Sequence, residues 1–184
     1  MPGSAARWTG TKGGLMPTLI ENLKTRFGAE LKEASVNNSN ENVIAIAREN
    51  APAILRALRD EPDFVFNFLA DLTAADWPER EQRFDVVYHL YSLKLKHRLR
   101  VKVAVAEKEV WVHSAVELWK AADWLERECY DMFGIRFQGH PDLRRILLYD
   151  AFQGYPLRKD YPATRRQPLV EEIDPVVNPR PPSS

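Results

Sequence analysis

Two runs of strict alternation constrain the fold more than any other feature: Phe84, Val86, Tyr88 and Leu90, then Leu99, Val101, Val103 and Val105. A period of two places each set on one face of an extended strand. The connecting SLKLKH closes a hairpin but is too short for a parallel crossover helix. An earlier run, Phe64, Phe66, Phe68 and Ala70, has the same period and is joined to the next by a loop containing Trp77 and Pro78. The three runs predict an antiparallel meander whose apolar side lies under helices, with Arg98, Arg100 and Lys102 pointing the other way.

The helices announce themselves by their caps. Thr18 and Glu21 form a T-x-x-E box ahead of Leu19, Leu23 and Phe27, an apolar stripe that runs to Gly28. Strands are expected over Leu31 to Val36 and Asn42 to Ala47, turned by NNSN. Asn50 is placed to cap a helix carrying Pro52 in its first turn and Ile54, Leu55 and Leu58 on its buried side. Ser114 and Glu117 read as a second box, before a helix reaching about Tyr130 with Leu118, Ala122, Leu125 and Cys129 on one face. The expected fold class is α+β: a mainly antiparallel sheet covered by helices, followed by an extended irregular C-terminal arm. The division is a flexible N-terminus (1–17), an α/β core (18–133), an irregular signature and docking segment (134–162) and a proline-rich arm (163–184). Seven of the thirteen prolines fall in the last 29 residues, where they remove backbone donors and resist regular structure. Leu169, Val170, Ile173, Val176 and Val177 would be poorly buried there, so a neighbouring surface is their expected cover.

Composition removes several function classes. A chain of 184 residues with 26 basic and 26 acidic side chains supports one domain with a substantial core and no wholesale wrapping of nucleic acid. The balance hides segregation: residues 41–85 hold ten acidic and five basic side chains, whereas 136–166 hold seven basic and three acidic. Lys94, Lys96, Arg98, Arg100 and Lys102 form a basic row, but the aromatic motifs of RNA-binding sheets are absent and no nucleic-acid partner is expected. An RNA-binding module is the alternative of a different class. The lone Cys129 excludes an intrachain disulfide and multi-cysteine metal sites, and its place on an apolar stripe suits an inert core thiol. His89, His97, His113 and His140 show no ligand spacing, and neither a dinucleotide nor a nucleoside-triphosphate loop is present. Glu126 and Glu128 point to different sides of their helix, while Asp123 and Arg127 are spaced for a modest intrahelical pair. Residues 1–16 lack a secretory apolar core, although Arg7 and Lys12 leave a weak mitochondrial-type reading open.

The densest information lies in residues 126–162. Asp131, Met132, Phe133 and Gly134 combine a polar anchor, an apolar wedge and a glycine able to end a helix. Gly139, His140 and Pro141 make a restricted turn, and Arg144 and Arg145 are forked donors suited to carboxylates. Gly154, Pro156, Arg158, Lys159, Asp160, Tyr161 and Pro162 repeat the alternation of backbone constraint and charge. These residue types suit a rigid docking surface better than an active site, and each of them serves equally well to stabilise its own loop.

The succession ERECYDMFG, F-x-G-HP-x-LRRIL and F-x-G-x-PLRKDYP resembles the thirty-kilodalton subunit family of respiratory complex I, the bacterial C subunit of NADH-quinone oxidoreductase. The resemblance implies a cofactor-free peripheral subunit supporting electron transfer from NADH to quinone in a proton-pumping complex. Flavin mononucleotide and iron-sulfur clusters would sit in partner subunits. It implies packing against the forty-nine-kilodalton-type quinone-site subunit, near the iron-sulfur subunits of the peripheral arm and only indirectly against the membrane arm. Arg127, Glu128, Asp131, Gly134, His140, Pro141, Arg144, Arg145, Arg158, Lys159 and Asp160 match the signature as structural or interface candidates, and none as a catalytic, cofactor or metal ligand. The implied location is peripheral, on the cytoplasmic side of a bacterial plasma membrane or, alternatively, the matrix side of the mitochondrial inner membrane. A homologous module of a ferredoxin-linked quinone oxidoreductase or membrane-bound hydrogenase would look similar.

Overall fold

The computed structural model describes residues 18–167, so the expected N-terminal segment and most of the proline-rich arm lie outside the described residues. Helix α1 (Leu19–Phe27) opens on the reciprocal box: Thr18 Oγ1 accepts from the Glu21 amide, and the Glu21 carboxylate accepts from the Thr18 amide. Strands β1 (Leu31–Val36) and β2 (Asn42–Ile46) pair antiparallel across a turn in which Asn37 Oδ1 accepts from the amides of Ser39 and Glu41. Helix α2 (Ala51–Asp60) buries Ile54, Leu55 and Leu58 as its spacing predicts. Asn50 occupies the cap position without a side-chain hydrogen bond, because its own backbone is already helical (φ −87°, ψ −13°) and cannot turn the amide back onto the first turn.

Strands β3 (Phe68–Asp76), β4 (Phe84–Tyr91) and β5 (Arg98–Val105) form the expected meander within a five-stranded sheet of order β1-β2-β5-β4-β3. Two features differ from the sequence reading. Strand β5 also pairs with β2, in parallel, with Ile44 opposite Val101. Alternation marks a residue as half-buried in a strand but carries nothing about which strand lies beside it, and the long excursion through α2, β3 and β4 makes the parallel return possible. The second difference is at Phe64 and Phe66, which are buried but precede the strand. Val65 sits at φ +47° and the Phe66 amide donates to Leu58 O, so both rings anchor the exit from α2. A bulge between Leu69 and Asp71 then leaves Phe68 and Ala70 exposed and turns Leu69 and Leu72 inward.

One apolar cluster joins the inward residues of the sheet to α1, α2 and the third helix, α3 (Ala122–Phe133). Burying each Leu or Ile fully contributes about 1.5–3 kcal/mol. The outer face carries Arg98, stacked on Tyr91, and Arg100, paired with Glu41 at 2.7 Å. Helix α3 begins only at Ala122, well beyond Ser114, so the second capping box does not form. Ser114 Oγ instead donates to the Glu126 carboxylate at 2.7 Å, and Glu117 lies on the surface. Strand β6 (Trp111–His113) pairs in parallel with β7 (Arg136–Gln138), a short regular element inside the segment expected to be irregular.

Candidate functional site

Helix α3 is the platform on which residues 134–162 are laid. It runs to Phe133, three residues past the end expected near Tyr130, and stops at Gly134, whose φ of +76° is left-handed and whose amide donates to Tyr130 O. A Cβ there would lie 2.5 Å from the Tyr155 ring, so only glycine satisfies both the backbone turn and the close approach.

Asp131, one turn earlier, is fully buried and organises the following loop. Its Oδ1 accepts from Arg145 Nη1 at 2.6 Å, and its Oδ2 accepts from the amides of Ile146, Leu147 and Leu148 at 3.1, 2.8 and 2.9 Å. Burial pushes this carboxyl up, but the Leu148 amide, the Arg145 guanidinium and the Leu147 and Ile146 amides outweigh it and hold the group below its ordinary range. Arg145 is thereby engaged internally: Nη2 donates to Phe152 O and Gly154 O, and the guanidinium lies over Phe152 and Tyr155. Arg158 donates from Nε to Phe133 O at 2.6 Å and covers the rings of Phe84 and Tyr155.

Two further ties hold the loop at the start of α3. Arg127 donates to the carbonyls of Arg144 and Arg145, both at 3.2 Å, and does not form the expected pair with Asp123. The carboxylate of Asp123 faces His140 Nε2 at 3.3 Å instead, because the folded-back loop brings an imidazole closer than the next turn of helix brings a guanidinium. That imidazole is enclosed, with Nε2 also 3.1 Å from Asp123 O and Nδ1 accepting from the Asp142 amide.

Farther along, Arg83 lies between Asp76 and Asp160. It contacts Asp76 at 2.7 and 2.9 Å, Glu107 at 2.6 Å and Asp160 at 2.9 Å, while the Lys159 amide donates to Asp76 Oδ2 at 2.7 Å. The Arg83 guanidinium lowers the carboxyl range of Asp76 and of Asp160, and those carboxylates raise Arg83 in turn. Asp76, Arg83, Glu107 and Glu126 were missed by sequence reasoning. Their partners lie from 7 to 83 residues away, across turns and between elements, and no helix or strand period encodes such pairs.

The candidates thus divide. Arg127, Asp131, Gly134, His140, Arg145, Arg158, the Lys159 amide and the Asp160 carboxylate engage this chain's own groups. Glu128, Pro141 and Arg144 lie at the surface, Arg144 with a 71% exposed side chain whose guanidinium meets Asp142 at 2.8 Å. Near them Trp124 and Leu147 are exposed, the former beneath the Arg127 guanidinium. No nucleophile and base converge among the described residues: burial pushes the Cys129 thiol up, and its Sγ sits 3.7 Å from Leu72 O. A groove of about 580 Å³ runs beside the segment, lined by Trp111, Gly134, Arg136, Tyr155 and Arg158 among others. Among the described residues, no group of three or more His, Cys, Asp or Glu is placed to hold a metal ion, and no helix is long and apolar enough to cross a membrane.

Comparison with known proteins gives the arrangement a setting. Residues 44–167 match the family described as respiratory-chain NADH dehydrogenase, 30 kDa subunit. The NADH-quinone oxidoreductase C subunit of Citrifermentans bemidjiense is 46% identical over 143 residues, covering 78% of this chain and 87% of that protein. The corresponding C/D subunit of Bdellovibrio bacteriovorus is 45% identical over 157 residues, covering 84% of this chain but 28% of that longer protein. The chain also spans only 51% of the Caulobacter sp. C subunit, to which it is 57% identical over 110 residues. Among solved structures, the trypsin-resistant fragment (1–134) of Nqo5 superposes with a TM-score of 0.60 at 33% identity, over 66% of this chain and 96% of the fragment. A chain of a membrane-bound sulfane sulfur reductase, an archaeal respiratory membrane complex, gives a TM-score of 0.65 at 22% identity over 79% of this chain and 84% of that one, a likeness of fold alone.

Proposed function

This chain belongs to the 30 kDa subunit family of respiratory-chain NADH dehydrogenase, and we propose that it is a cofactor-free structural and assembly subunit of the peripheral arm. The observation that carries the reading is the use made of the signature side chains. Asp131, Arg145, Arg158, Arg127 and His140 are engaged in fixing an irregular segment onto α3, and none of them converges on a reactive group. A segment so fixed presents Arg144 and Leu147 outward in a set geometry beside the exposed Trp124 of α3, as a surface that must fit a neighbour requires.

In this reading NADH oxidation, flavin mononucleotide, the iron-sulfur clusters and quinone reduction belong to partner subunits, and so does proton translocation. The first partner is the quinone-site subunit, a choice supported by the existence of a relative that is named as a C/D subunit. Iron-sulfur subunits of the peripheral arm are the next neighbours, and the membrane arm is reached through them. The location is peripheral, on the cytoplasmic side of a bacterial plasma membrane.

The test is to purify the full chain alone and together with a coexpressed quinone-site partner. The chain alone is expected to show no flavin or iron-sulfur absorption and no NADH consumption, and to copurify with its partner in equal amounts. Stoichiometric flavin or iron, enzyme-level turnover, or failure to associate would each overturn the assignment.

A further inference from the structure

Helix α3 buries a second carboxylate, Glu126, in surroundings unlike those of Asp131. Its side chain is fully enclosed, yet no cation among the described residues reaches it. Oε1 accepts from the Ala115 amide at 2.6 Å and Oε2 accepts from Ser114 Oγ at 2.7 Å. These bonds tie α3 to the turn beginning at Ala115, whose carbonyl accepts from the amides of Leu118 and Trp119. Trp119 in turn donates from Nε1 to Phe66 O, pinning the turn over the core.

The groups facing Glu126 are neutral or acidic from each side. Strand β4 supplies Tyr88, whose hydroxyl is fully buried and has no hydrogen-bond partner among the described residues. The helix itself supplies Asp123 and Cys129, and β3 supplies Asp71 beyond the thiol. The turn supplies only Ser114 and an amide. Strand β7 offers Arg136, but that side chain is exposed and lines a different groove. Helix α2 offers Arg56, which is exposed and faces Glu117 at 3.6 Å, and Arg59, whose guanidinium pairs with Asp60 and donates to Glu117 O and Leu118 O of the turn, not to Glu126. Beside Ser114 a cleft of about 210 Å³ opens between α2 and the β6–β7 pair, with Pro52, Leu55, His113 and Gln138 in its lining.

We propose that Glu126 is a proton-sensitive latch: as a neutral carboxylic acid it holds the Ser114–Trp119 turn closed on α3, and on losing its proton it loosens that turn toward the cleft. An unpaired carboxylate in an enclosed site is costly, whereas a carboxylic acid keeps both existing bonds and gains a donor in the neighbourhood of the unpartnered Tyr88 hydroxyl. Burial raises the Glu126 carboxyl to about 7, against the pull of the Ala115 amide and the Ser114 hydroxyl, with Asp123 adding to the rise. Asp131 marks the contrast, since its guanidinium and three amides stabilise the ionised form.

The experiment uses the full chain. Infrared spectroscopy with ¹³C-labelled glutamate follows the carboxylic C=O band, and hydrogen exchange, corrected for intrinsic rate, follows the amides of residues 115–119. The expected result is a glutamic acid band that titrates near neutral pH, with exchange protection of the turn falling about tenfold between pH 6 and pH 8. Glu126→Gln removes both changes, and Ser114→Ala, which deletes a donor to the ionised form, moves the midpoint up. A titration confined to the ordinary carboxylate range overturns the proposal in the wild-type chain alone, so it stands or falls even if Glu126→Gln fails to fold. An equal loss of protection in Glu126→Gln and wild type overturns it as well.

Discussion

Asp131 and Glu126 are buried on the same helix, but Asp131 receives a guanidinium and three backbone amides, whereas Glu126 receives one amide and one hydroxyl. The first surroundings favour charge and the second oppose it. The loops they organise differ accordingly. At Asp131 three consecutive amides converge on one oxygen, so the segment after Arg145 is held by a carboxylate whose donors favour its charged form. At Glu126 the Ser114–Trp119 turn hangs on a group whose charge depends on the medium. A carboxylate therefore serves as a rigid anchor or as a labile one according to its donors, with burial equal in the two cases.

The largest effect that would break this comparison comes from Asp131→Ala. It strands the Arg145 guanidinium and three amides without an acceptor, and breaking such a pair costs about 3–5 kcal/mol. Denaturant unfolding of the full chain should show that loss, and limited proteolysis should find new cleavage between residues 139 and 160. A loss below about 1 kcal/mol would mean that the pair is as weak as an exposed one and that the loop is held by other contacts.

The pH dependence sharpens the same contrast, with opposite signs. Glu126 has a folded value raised from 4.5 to about 7, so its contribution is fully present below 4.5 and is lost as pH rises through 7. At about 1.36 kcal/mol per unit, the swing has an upper bound of about 3 kcal/mol. Asp131 and Asp76 have lowered values, so their contribution is present above the ordinary aspartate range and is lost as pH falls through their folded values. Stability measured from about pH 3 to 9 should rise out of the acid range and then decline toward about pH 8, and Glu126→Gln should abolish only the decline. A monotonic rise in both proteins would show that Glu126 ionises without cost.

The anchor is more legible in the sequence than the latch. Gly134 was readable because a glycine after an apolar stripe is a local signal, and so was the Thr18–Glu21 box, whose two bonds lie within one turn. Glu126 was not: Ser114 and Glu117 have the spacing of a cap, and only the tertiary fold reveals that Ser114 is claimed by α3. The Asp76–Arg83–Asp160 linkage was hidden for the same reason, as it joins the end of β3 to the signature segment. The meander followed from alternation along each strand, whereas the β2–β5 pairing and the bulge at Leu69 depend on neighbours that no single run specifies. For the signature residues, side-chain chemistry was readable but direction was not, and the adjacent Arg144 and Arg145 turn opposite ways.

That divergence yields the smallest expected effect. Arg144 is exposed and its guanidinium pairs with Asp142, so Arg144→Glu should change the stability of the isolated chain by about 0.2–1 kcal/mol. Arg145 belongs to the Asp131 anchor, and its neighbour is insulated from it because the side chains leave the backbone on different sides of the loop. If residues around Trp124, Arg144 and Leu147 face a partner, the cost of Arg144→Glu falls on association instead, where a reversed charge meets acidic groups with less water to screen it. Thermal unfolding of the variant first establishes that the chain is intact. Binding to the quinone-site partner at low and high salt then separates the two roles: weaker association that salt partly relieves places Arg144 at an electrostatic contact. Unchanged affinity at both concentrations would move the contact surface elsewhere and leave the Arg144–Asp142 pair as a solvated feature of the loop.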